Sequence, residues 1–310
     1  MMDSPPRTRR PRRRVDGVLL LDKPSGLSSN AALQRAKRAF DAEKAGHTGT
    51  LDPLASGLLP LCFGEATKFA RFLLEADKRY IASVRFGVTT TTQDAEGAEV
   101  ESRPVDFGRA AVEAALPAFM GELWQVPPAH SALKFEGRNY YEYAREGIDI
   151  PRQPRSVRID RLTLVDWESP VATLDVVCSK GTYIRALAFD LGEALSCGAY
   201  LAGLRRVATG GFDLAAATTL EALEHCASEA RDALLLPVDC LLAAMPRLEV
   251  DGEAAARLRQ GQPIAAPRLP GLVFRVYDPE GRLLGIVRRE AEALVPERLA
   301  RTSDTPPVAA

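Results

Sequence analysis

Cysteine pairs, histidine clusters and long apolar runs are the patterns that this sequence lacks. Its five cysteines are odd in number and far apart, with no C-x-x-C pair, so the sequence indicates neither a disulfide framework nor a zinc site. The three histidines are too scattered to suggest a metal cluster. We therefore expect buried, unpaired thiols in a reducing cytoplasm and no metal requirement.

The apolar runs are too short for membrane insertion or for export. No uncharged run approaches the roughly 18 residues that a membrane helix requires. The first apolar run, residues 18–21, stops at Asp22 and Lys23, and a signal peptide needs an apolar core of about 7 to 15 residues. The sequence thus argues against a membrane protein and against a secreted one.

Charge is unevenly distributed along the chain. The formal net charge is -1, but residues 1–14 contain six arginines and one aspartate, which leaves 34 basic and 40 acidic residues in the rest. A segment so charged and so poor in apolar residues predicts a disordered arm over residues 1–14. Such an arm can contact a phosphate backbone by counterion release. The acidic remainder argues against a general nucleic-acid binder, so any RNA-binding surface must be local.

Helices and strands alternate after the arm, a pattern that predicts an α+β or mixed α/β protein. The length of 310 residues suits one large domain and a smaller one. Residues 45–57 are rich in glycine, proline and small polar residues, so we expect a structured loop there instead of a long helix or a regular strand. The predicted strands are 15–22, 58–63, 80–88, 155–167 and 171–178, and the predicted helices are 28–40, 65–76 and 182–195.

The last third of the chain changes in character. Residues 215–245 are rich in alanine and leucine and are predicted to be helical. Residues 246–295 alternate short apolar stretches with turns at 261–263 and 278–281, which predicts a small β-rich unit. The segment 298–310 has no apolar pattern, and we expect a frayed, disordered tail.

The loop at 45–57 holds the side chains of greatest chemical interest. His47, Thr48 and Asp52 lie among three glycines, which allow the backbone to approach a ligand closely. An aspartate before a proline is in general typical of a turn, and a histidine after a glycine is typical of a surface loop. Composition alone therefore assigns no catalytic role to these residues.

The longer string is more informative: GHTGTLDPLASGLLP, residues 46–60, resembles the catalytic loop of TruB-type pseudouridine synthases. Between residues 15 and 212 the resemblance continues in order through LLLDKPSGLSS, GEATKF, DKRY, SALKFEGRNYYEYAREG, CSKGTYIRALAFDLGEAL and LRRVATGGF. Farther on, LRQGQPI and VYDPEGRLLGI resemble a PUA domain, a small RNA-binding barrel. The resemblance implies an α+β fold. Its catalytic domain would span 15–245, with a mixed, largely antiparallel central sheet flanked by helices, and a β-rich PUA-like domain would span 246–297.

In that family, a uridine in RNA is isomerised to pseudouridine. The N1–C1′ bond breaks, the uracil rotates, and C5 bonds to C1′, so the reaction implies no redox cofactor and no metal. Positive charge develops at C1′ as the base departs, and a carboxylate beside it is needed, as in glycosidases. The resemblance gives that role to Asp52. Direct attack on C1′ and removal of a sugar proton both require this carboxylate, so both routes stay open.

The resemblance also implies which residues surround a uridine flipped into the pocket. Tyr80 would stack on the uracil, Tyr183 and Leu204 would line the pocket, and His47 would fill the space that the flipped nucleotides leave. Arg185 would pair with the catalytic carboxylate and keep it ionised. Stacking is worth about 1 to 3 kcal/mol per base, which offsets much of the cost of flipping.

Basic side chains near the predicted site are candidates for contacts with phosphates. Lys23 follows the first predicted strand, and the other candidates lie in residues 134–155, where basic and aromatic residues are interleaved. That interleaving is typical of a segment that binds RNA. The candidates in this segment are Lys134, Arg138, Arg152 and Arg155.

The resemblance therefore implies a monomeric, cytoplasmic enzyme that contacts the T-arm of tRNA and isomerises the T-loop uridine at position 55. It implies no cofactor, membrane or protein partner. One alternative is a non-catalytic tRNA-binding or tRNA-folding protein that retains the pocket, although the intact Asp52, Tyr80 and Arg185 favour catalysis. The other alternative is a guide-dependent synthase acting on ribosomal RNA, an activity that usually involves partner proteins.

Overall fold

The computed structural model of the protein describes residues 12–266 and 270–301. Most of the predicted arm and tail therefore lie outside the described residues. Arg13, however, joins the folded body: its N–H donates to the Asp41 carbonyl at 2.9 Å and its Nε to the Phe40 carbonyl at 2.9 Å. Its guanidinium also pairs with Asp232. The prediction of a solvated arm through residue 14 is thus wrong at Arg13.

Strands make up most of the regular structure. In chain order they are β1 Gly17–Lys23, β2 Ala45–His47, β3 Ser56–Phe63, β4 Lys78–Phe86, β5 Val88–Thr90, β6 Glu99–Ser102, β7 Gly121–Gln125, β8 Lys134–Phe135, β9 Arg138–Asn139, β10 Arg155–Glu168, β11 Val171–Cys178, β12 Ala199–Thr209, β13 Phe212–Asp213, β14 Thr218–Thr219, β15 Arg247–Glu249, β16 Ile264–Ala265, β17 Val273–Tyr277, β18 Leu283–Glu290 and β19 Ala293–Leu299.

Helices connect or cover the strands. The α-helices are α1 Ser29–Ala39, α2 Ala70–Leu74, α3 Arg109–Ala115, α4 Tyr140–Arg145, α5 Ile184–Ala194, α6 Leu220–His225 and α7 Gly252–Arg259. The 3-10 helices are Gly64–Lys68, Leu116–Phe119, Leu214–Ala216, Arg231–Leu234 and Val238–Leu242. Ser28 caps α1 by accepting a hydrogen bond from the Ala31 N–H, as the serine pair before this helix predicted.

The central sheet has ten strands. Its main order is β14-β1-β3-β12-β4-β11-β10-β7, with β2 paired to β3 and β13 paired to β12. The pairs β1–β14 and β3–β12 are parallel, and the remaining pairs are antiparallel. The predicted mixed, largely antiparallel sheet is confirmed.

Alternate residues of β1 pack into two different apolar cores, because successive side chains of a strand point to opposite faces. Leu19 and Leu21 join the main core, which includes residues of α1 and α5. Val18 and Leu20 join a second core that contains Phe69 and extends to Ile286 of β18. The C-terminal unit therefore packs against the reverse side of the central sheet. Its own sheet has the order β15-β17-β18-β19-β16, which fits the predicted small β-rich domain.

The predicted helix over residues 215–245 is wrong. The region contains α6 and short 3-10 helices, and much of the rest is irregular. Leu236 exchanges backbone hydrogen bonds with Val18, at 2.8 and 2.9 Å, and Pro237 has no N–H for a helical hydrogen bond. Pairing with the sheet thus overrides the helical propensity of this alanine-rich stretch.

Several other boundaries differ from the sequence-based expectation. The prediction of a disordered tail from residue 298 is wrong at its start, because β19 continues to Leu299 and the Ala300 N–H donates to the Leu284 carbonyl at 2.9 Å. The predicted helix 65–76 divides into the 3-10 helix Gly64–Lys68 and α2. The predicted loop 45–57 begins as strand β2 and ends as the first residues of β3. Within the ranges that the structure describes, no helix is long and apolar enough to cross a membrane. Within the same ranges, the cysteines are free. Cys62, Cys178 and Cys197 are buried as predicted, whereas Cys226 and Cys240 are only partly buried.

Candidate active site

The loop between β2 and β3 is held rigidly around Asp52. The buried Ser29 hydroxyl donates to the Leu51 carbonyl at 2.9 Å and accepts from the Leu51 N–H at 2.7 Å. On the other side of Asp52, the Pro53 carbonyl accepts a hydrogen bond from the Gly26 N–H at 2.8 Å. The residues before and after the carboxylate are therefore both fixed by the segment that leads into α1.

Arg185 in the first turn of α5 joins the loop that holds Asp52 to two other loops. Its Nε lies 3.1 Å from Asp52 Oδ2, and its Nη1 lies 3.3 Å from Asp94 Oδ2. The same guanidinium donates to the Thr92 carbonyl at 3.2 Å and to the His130 carbonyl at 2.8 Å. The structure thus brings Arg185 to Asp52, as the resemblance implied, and adds Asp94 as a second carboxylate.

The two carboxylates differ in exposure. Asp52 exposes 42% of its side chain, whereas Asp94 exposes 4%. Burial raises the pKa of Asp52; Arg185 opposes this, Asp94 adds to the rise, and Lys23 opposes it more weakly. Arg185 acts on Asp52 in the predicted direction, but burial outweighs it. Asp52 is therefore a partly desolvated carboxylate, open on one side and held from the other by a buried arginine.

Tyr80 and Leu204 lie on neighbouring central strands beside this loop. Tyr80 is buried on β4 and faces Arg206 of β12 in the strand register. Leu204, half-buried two residues earlier on β12, faces Ala82. Burial raises the pKa of the Tyr80 phenol, and the adjacent Arg206 guanidinium opposes the rise. Tyr80 is also near enough to Asp52 for that carboxylate to raise its pKa slightly.

Tyr183 immediately precedes α5 and is held by Gln125 of β7. The Tyr183 N–H donates to Gln125 Oε1 at 3.0 Å, and Gln125 Nε2 donates to the Tyr183 carbonyl at 3.3 Å. Burial raises the pKa of the Tyr183 phenol, while the nearby Ser131 hydroxyl and the Arg185 charge oppose the rise. Because Arg185 is two residues farther along, this clamp positions both the tyrosine and the arginine.

His47 lies half-buried at the end of β2. Burial lowers its pKa, and the charge of Arg206 lowers it further, so the neutral imidazole is favoured. Its Nδ1 is buried, and the described residues offer it no hydrogen-bond partner. A neutral ring suits the space-filling role implied for His47.

Four of the candidates for phosphate contacts lie in residues 134–155, and the fifth is Lys23. Lys134 and Arg138 are exposed on β8 and β9, and Arg138 pairs with Glu146 at 2.6 Å. Arg152 is half-buried and Arg155 is exposed.

Lys23 is different, because none of its surface is exposed. Its Nζ donates to the Pro24 carbonyl at 2.9 Å and to the Leu27 carbonyl at 2.5 Å. Burial lowers the pKa of Lys23 to about 8. The prediction that Lys23 contacts phosphate therefore does not fit its position. Lys23 instead braces the turn before α1 and lies close enough to Asp52 to lower that carboxylate's pKa.

Four residues that position the site cannot be identified from the sequence. The sequence indicates only a possible helix cap at Ser29, Arg206 stands within LRRVATGGF without a role of its own, and Asp94 and Gln125 lie in segments that carry no motif. Each acts through a contact with a residue far away in the chain. The local sequence contains no signal for these contacts.

Family models account for most of the chain. Residues 37–184 match the TruB family pseudouridylate synthase N-terminal domain. Residues 185–243 match the tRNA pseudouridylate synthase B C-terminal domain, and residues 246–300 match the C-terminal region of pseudouridine synthase II TruB. The matches begin within α1 and continue almost to the end of the described residues.

Two curated relatives match at nearly full length. The tRNA pseudouridine synthase B of Thiobacillus denitrificans is 57% identical over 293 residues, covering 94% of this chain and 98% of the relative. The enzyme of the same name from Cupriavidus metallidurans is 56% identical over 307 residues, covering 96% of this chain and 97% of the relative.

Solved structures share the fold at much lower identity. A Cbf5-Nop10-Gar1 complex matches with a TM-score of 0.70 and 24% identity, covering 91% of this chain and 84% of that one. An archaeal box H/ACA Nop10-Cbf5 complex matches with a TM-score of 0.70 and 23% identity, covering 94% and 88%. These two establish similarity of fold alone. The family matches and the full-length relatives establish more: this chain belongs to the TruB family of pseudouridine synthases.

Proposed function

We propose that this protein isomerises uridine to pseudouridine in the T-loop of tRNA, at position 55. The observation that carries the proposal is the ion pair between Asp52 and Arg185, at 3.1 Å. It presents a partly exposed carboxylate beside Tyr80 and Tyr183, as the reaction requires. The names of the relatives, tRNA pseudouridine synthase B, support tRNA as the substrate.

The geometry suits each step of the chemistry. Asp52 carries the charge that stabilises or attacks C1′ as the N1–C1′ bond breaks. Arg185 fixes the direction of the carboxylate, and a fixed charge costs no reorganisation during the reaction. Tyr80 supplies the ring on which the flipped uracil stacks and rotates. The flipped uracil, packed against Tyr80, Tyr183 and Leu204, excludes the water that would otherwise hydrolyse the sugar.

The remaining parts of the proposal concern the rest of the chain. The catalytic domain spans 15–245, and the PUA-like domain over 246–297 grips the tRNA away from the reacting uridine. Exposed basic residues of 134–155 contact the T-arm. The enzyme acts as a monomer in the cytoplasm, where its unpaired cysteines suit a reducing environment.

Pseudouridine mapping on an unmodified tRNA transcript tests the proposal. We expect conversion of the T-loop uridine by the purified protein without added RNA, metal or cofactor, and no conversion of a transcript in which that uridine is replaced by cytidine. Tight tRNA binding without any pseudouridine would favour the non-catalytic alternative. Conversion that appears only when a guide RNA is added would favour the guide-dependent one.

A further inference from the structure

Arg206 is a buried cation next to the candidate active site. Only 1% of its surface is accessible. Across the described residues, its side chain donates to backbone carbonyls and forms an ion pair with no carboxylate. A buried charge without an opposite partner retains most of its desolvation cost. The burial of the Arg206 charge is therefore not explained by a gain in stability, which suggests a functional role for this residue.

The contacts of Arg206 connect three parts of the site. Its Nε donates to the Leu58 carbonyl at 2.6 Å, just after the catalytic loop, and its Nη2 donates to the Gly49 carbonyl at 3.3 Å, within that loop. The phenol of Tyr80 lies beside the same guanidinium, because the two residues face each other in the register of β12 and β4.

Gly57 allows this close arrangement. A β-carbon at position 57 would lie 2.3 Å from the Arg206 carbonyl oxygen, and the residue has a φ of +100°. Any other residue there would push the end of the loop away from β12. The loop therefore contacts both the backbone and the side chain of Arg206.

We propose that Arg206 is a positioning residue that fixes the hydroxyl of Tyr80 and the Gly49 end of the loop relative to each other. The stacking ring and the Asp52 carboxylate then meet the same nucleotide in the correct geometry. This inference rests on the proposed function. The charge of Arg206 also favours the neutral form of His47, in keeping with the direction in which it shifts that residue's pKa.

Arg206→Lys tests the inference, because lysine keeps the charge but cannot reach the same set of carbonyls. We expect the single-turnover rate of pseudouridine formation to fall on the order of 100-fold, with tRNA affinity unchanged. Arg205→Lys is the matched control. Arg205 precedes Arg206 on β12, points to the opposite face and pairs with Asp22 at 2.7 Å, so this variant should react at the wild-type rate.

A double-mutant cycle separates positioning from general structural damage. Because Arg206 acts in part through the Tyr80 phenol, Arg206→Lys should reduce the single-turnover rate by a much smaller factor in a Tyr80→Phe background than in wild type. Equal reductions in the two backgrounds, or a wild-type rate for Arg206→Lys, would overturn the proposal. Arg206→Gln is the second variant, and failure of both variants to fold would assign Arg206 to stability instead. Absence of pseudouridine with the wild-type protein would refute the proposed function and not this inference alone.

Discussion

Replacement of Arg185 by methionine separates the effects of its two partners, the buried Asp94 and the proposed catalytic carboxylate Asp52. Methionine keeps much of the length of the side chain but removes its charge and all its donors. On one side Arg185 faces Asp94, and both side chains are buried, exposing 6% and 4% of their surface. On the other side it faces Asp52, which exposes 42%. Removal of the two interactions should therefore have different consequences.

The buried pair dominates the effect on stability. Removing one partner of a buried ion pair typically costs about 3 to 5 kcal/mol, and we expect Arg185→Met to lose stability in that range through Asp94. Pairs exposed to solvent contribute about 0 to 1 kcal/mol. Arg158→Met is a suitable control, because Arg158 is 47% exposed in its pairs with Asp77 and Asp160. Urea unfolding of the two variants at neutral pH measures this difference.

The pH dependence of turnover reports on the catalytic partner. In the proposed mechanism catalysis requires ionised Asp52, so the rate should rise as pH increases through the pKa of this carboxylate. Arg185 lowers that pKa and Asp94 raises it. Arg185→Met should thus move the acid limb of the single-turnover profile to higher pH, and Asp94→Asn should move it to lower pH. A shift of the acid limb in the same direction for both variants would refute this reasoning, as would an Arg185→Met protein as stable as the Arg158→Met control.

Three further predictions concern the loop and the ends of the chain. Ser29→Ala leaves the Leu51 N–H and carbonyl without their partner, so it should reduce the free energy of unfolding by about 1 to 3 kcal/mol and slow turnover. Ser28→Ala removes only a helix cap and should reduce the free energy of unfolding by about 1 kcal/mol. Unfolding and rate measurements compare the two variants. Deletion of residues 2–11, which spares the contacts of Arg13, should reduce the salt dependence of tRNA binding by about 0.7 to 0.9 in slope for each phosphate that the arm neutralises, and an unchanged slope would make the arm passive. Deletion of 246–310 removes Ile286 from the second core and should therefore lower the melting temperature. The deletion should also weaken tRNA binding more than it slows turnover. Undiminished tRNA affinity of the shortened protein would contradict a role of this domain in RNA binding.

The central features of the site were predictable because they occur in continuous strings. The loop around Asp52, the tyrosine of DKRY and the arginine of GTYIR could each be assigned by resemblance. Their surroundings could not, because Asp94 meets Arg185 and Gln125 meets Tyr183 only after folding brings distant segments together. The sequence contains the residue types but no signal of these distances.

Burial was the other quantity that local patterns failed to predict. Lys23 is the last residue of β1 and precedes a turn, a position typical of an exposed side chain, yet the turn folds back and supplies carbonyls to its Nζ. The helical prediction for 215–245 failed for a related reason, because Leu236 pairs with Val18 of the central sheet. In both cases a tertiary interaction outweighed the preference of the local sequence.

Ionisation of Asp52 should lower the stability of the folded protein. Its pKa is raised in the folded protein, so the native state binds this proton more tightly than the unfolded chain does. Stability contributed by the protonated form is then lost as pH rises through the raised pKa. At neutral pH the ionised carboxylate is a net cost, and Asp52→Asn should melt at or above the wild-type temperature.

The most direct test of the central claim compares wild type with Asp52→Asn on the same unmodified tRNA. Single-turnover pseudouridine formation at the T-loop uridine and tRNA affinity are measured for both proteins. We predict that wild type converts this uridine, whereas the folded Asp52→Asn protein binds the tRNA with near wild-type affinity and forms no pseudouridine, because stacking and phosphate contacts come from other residues. Appreciable turnover by Asp52→Asn would contradict the assignment of Asp52 as the catalytic carboxylate.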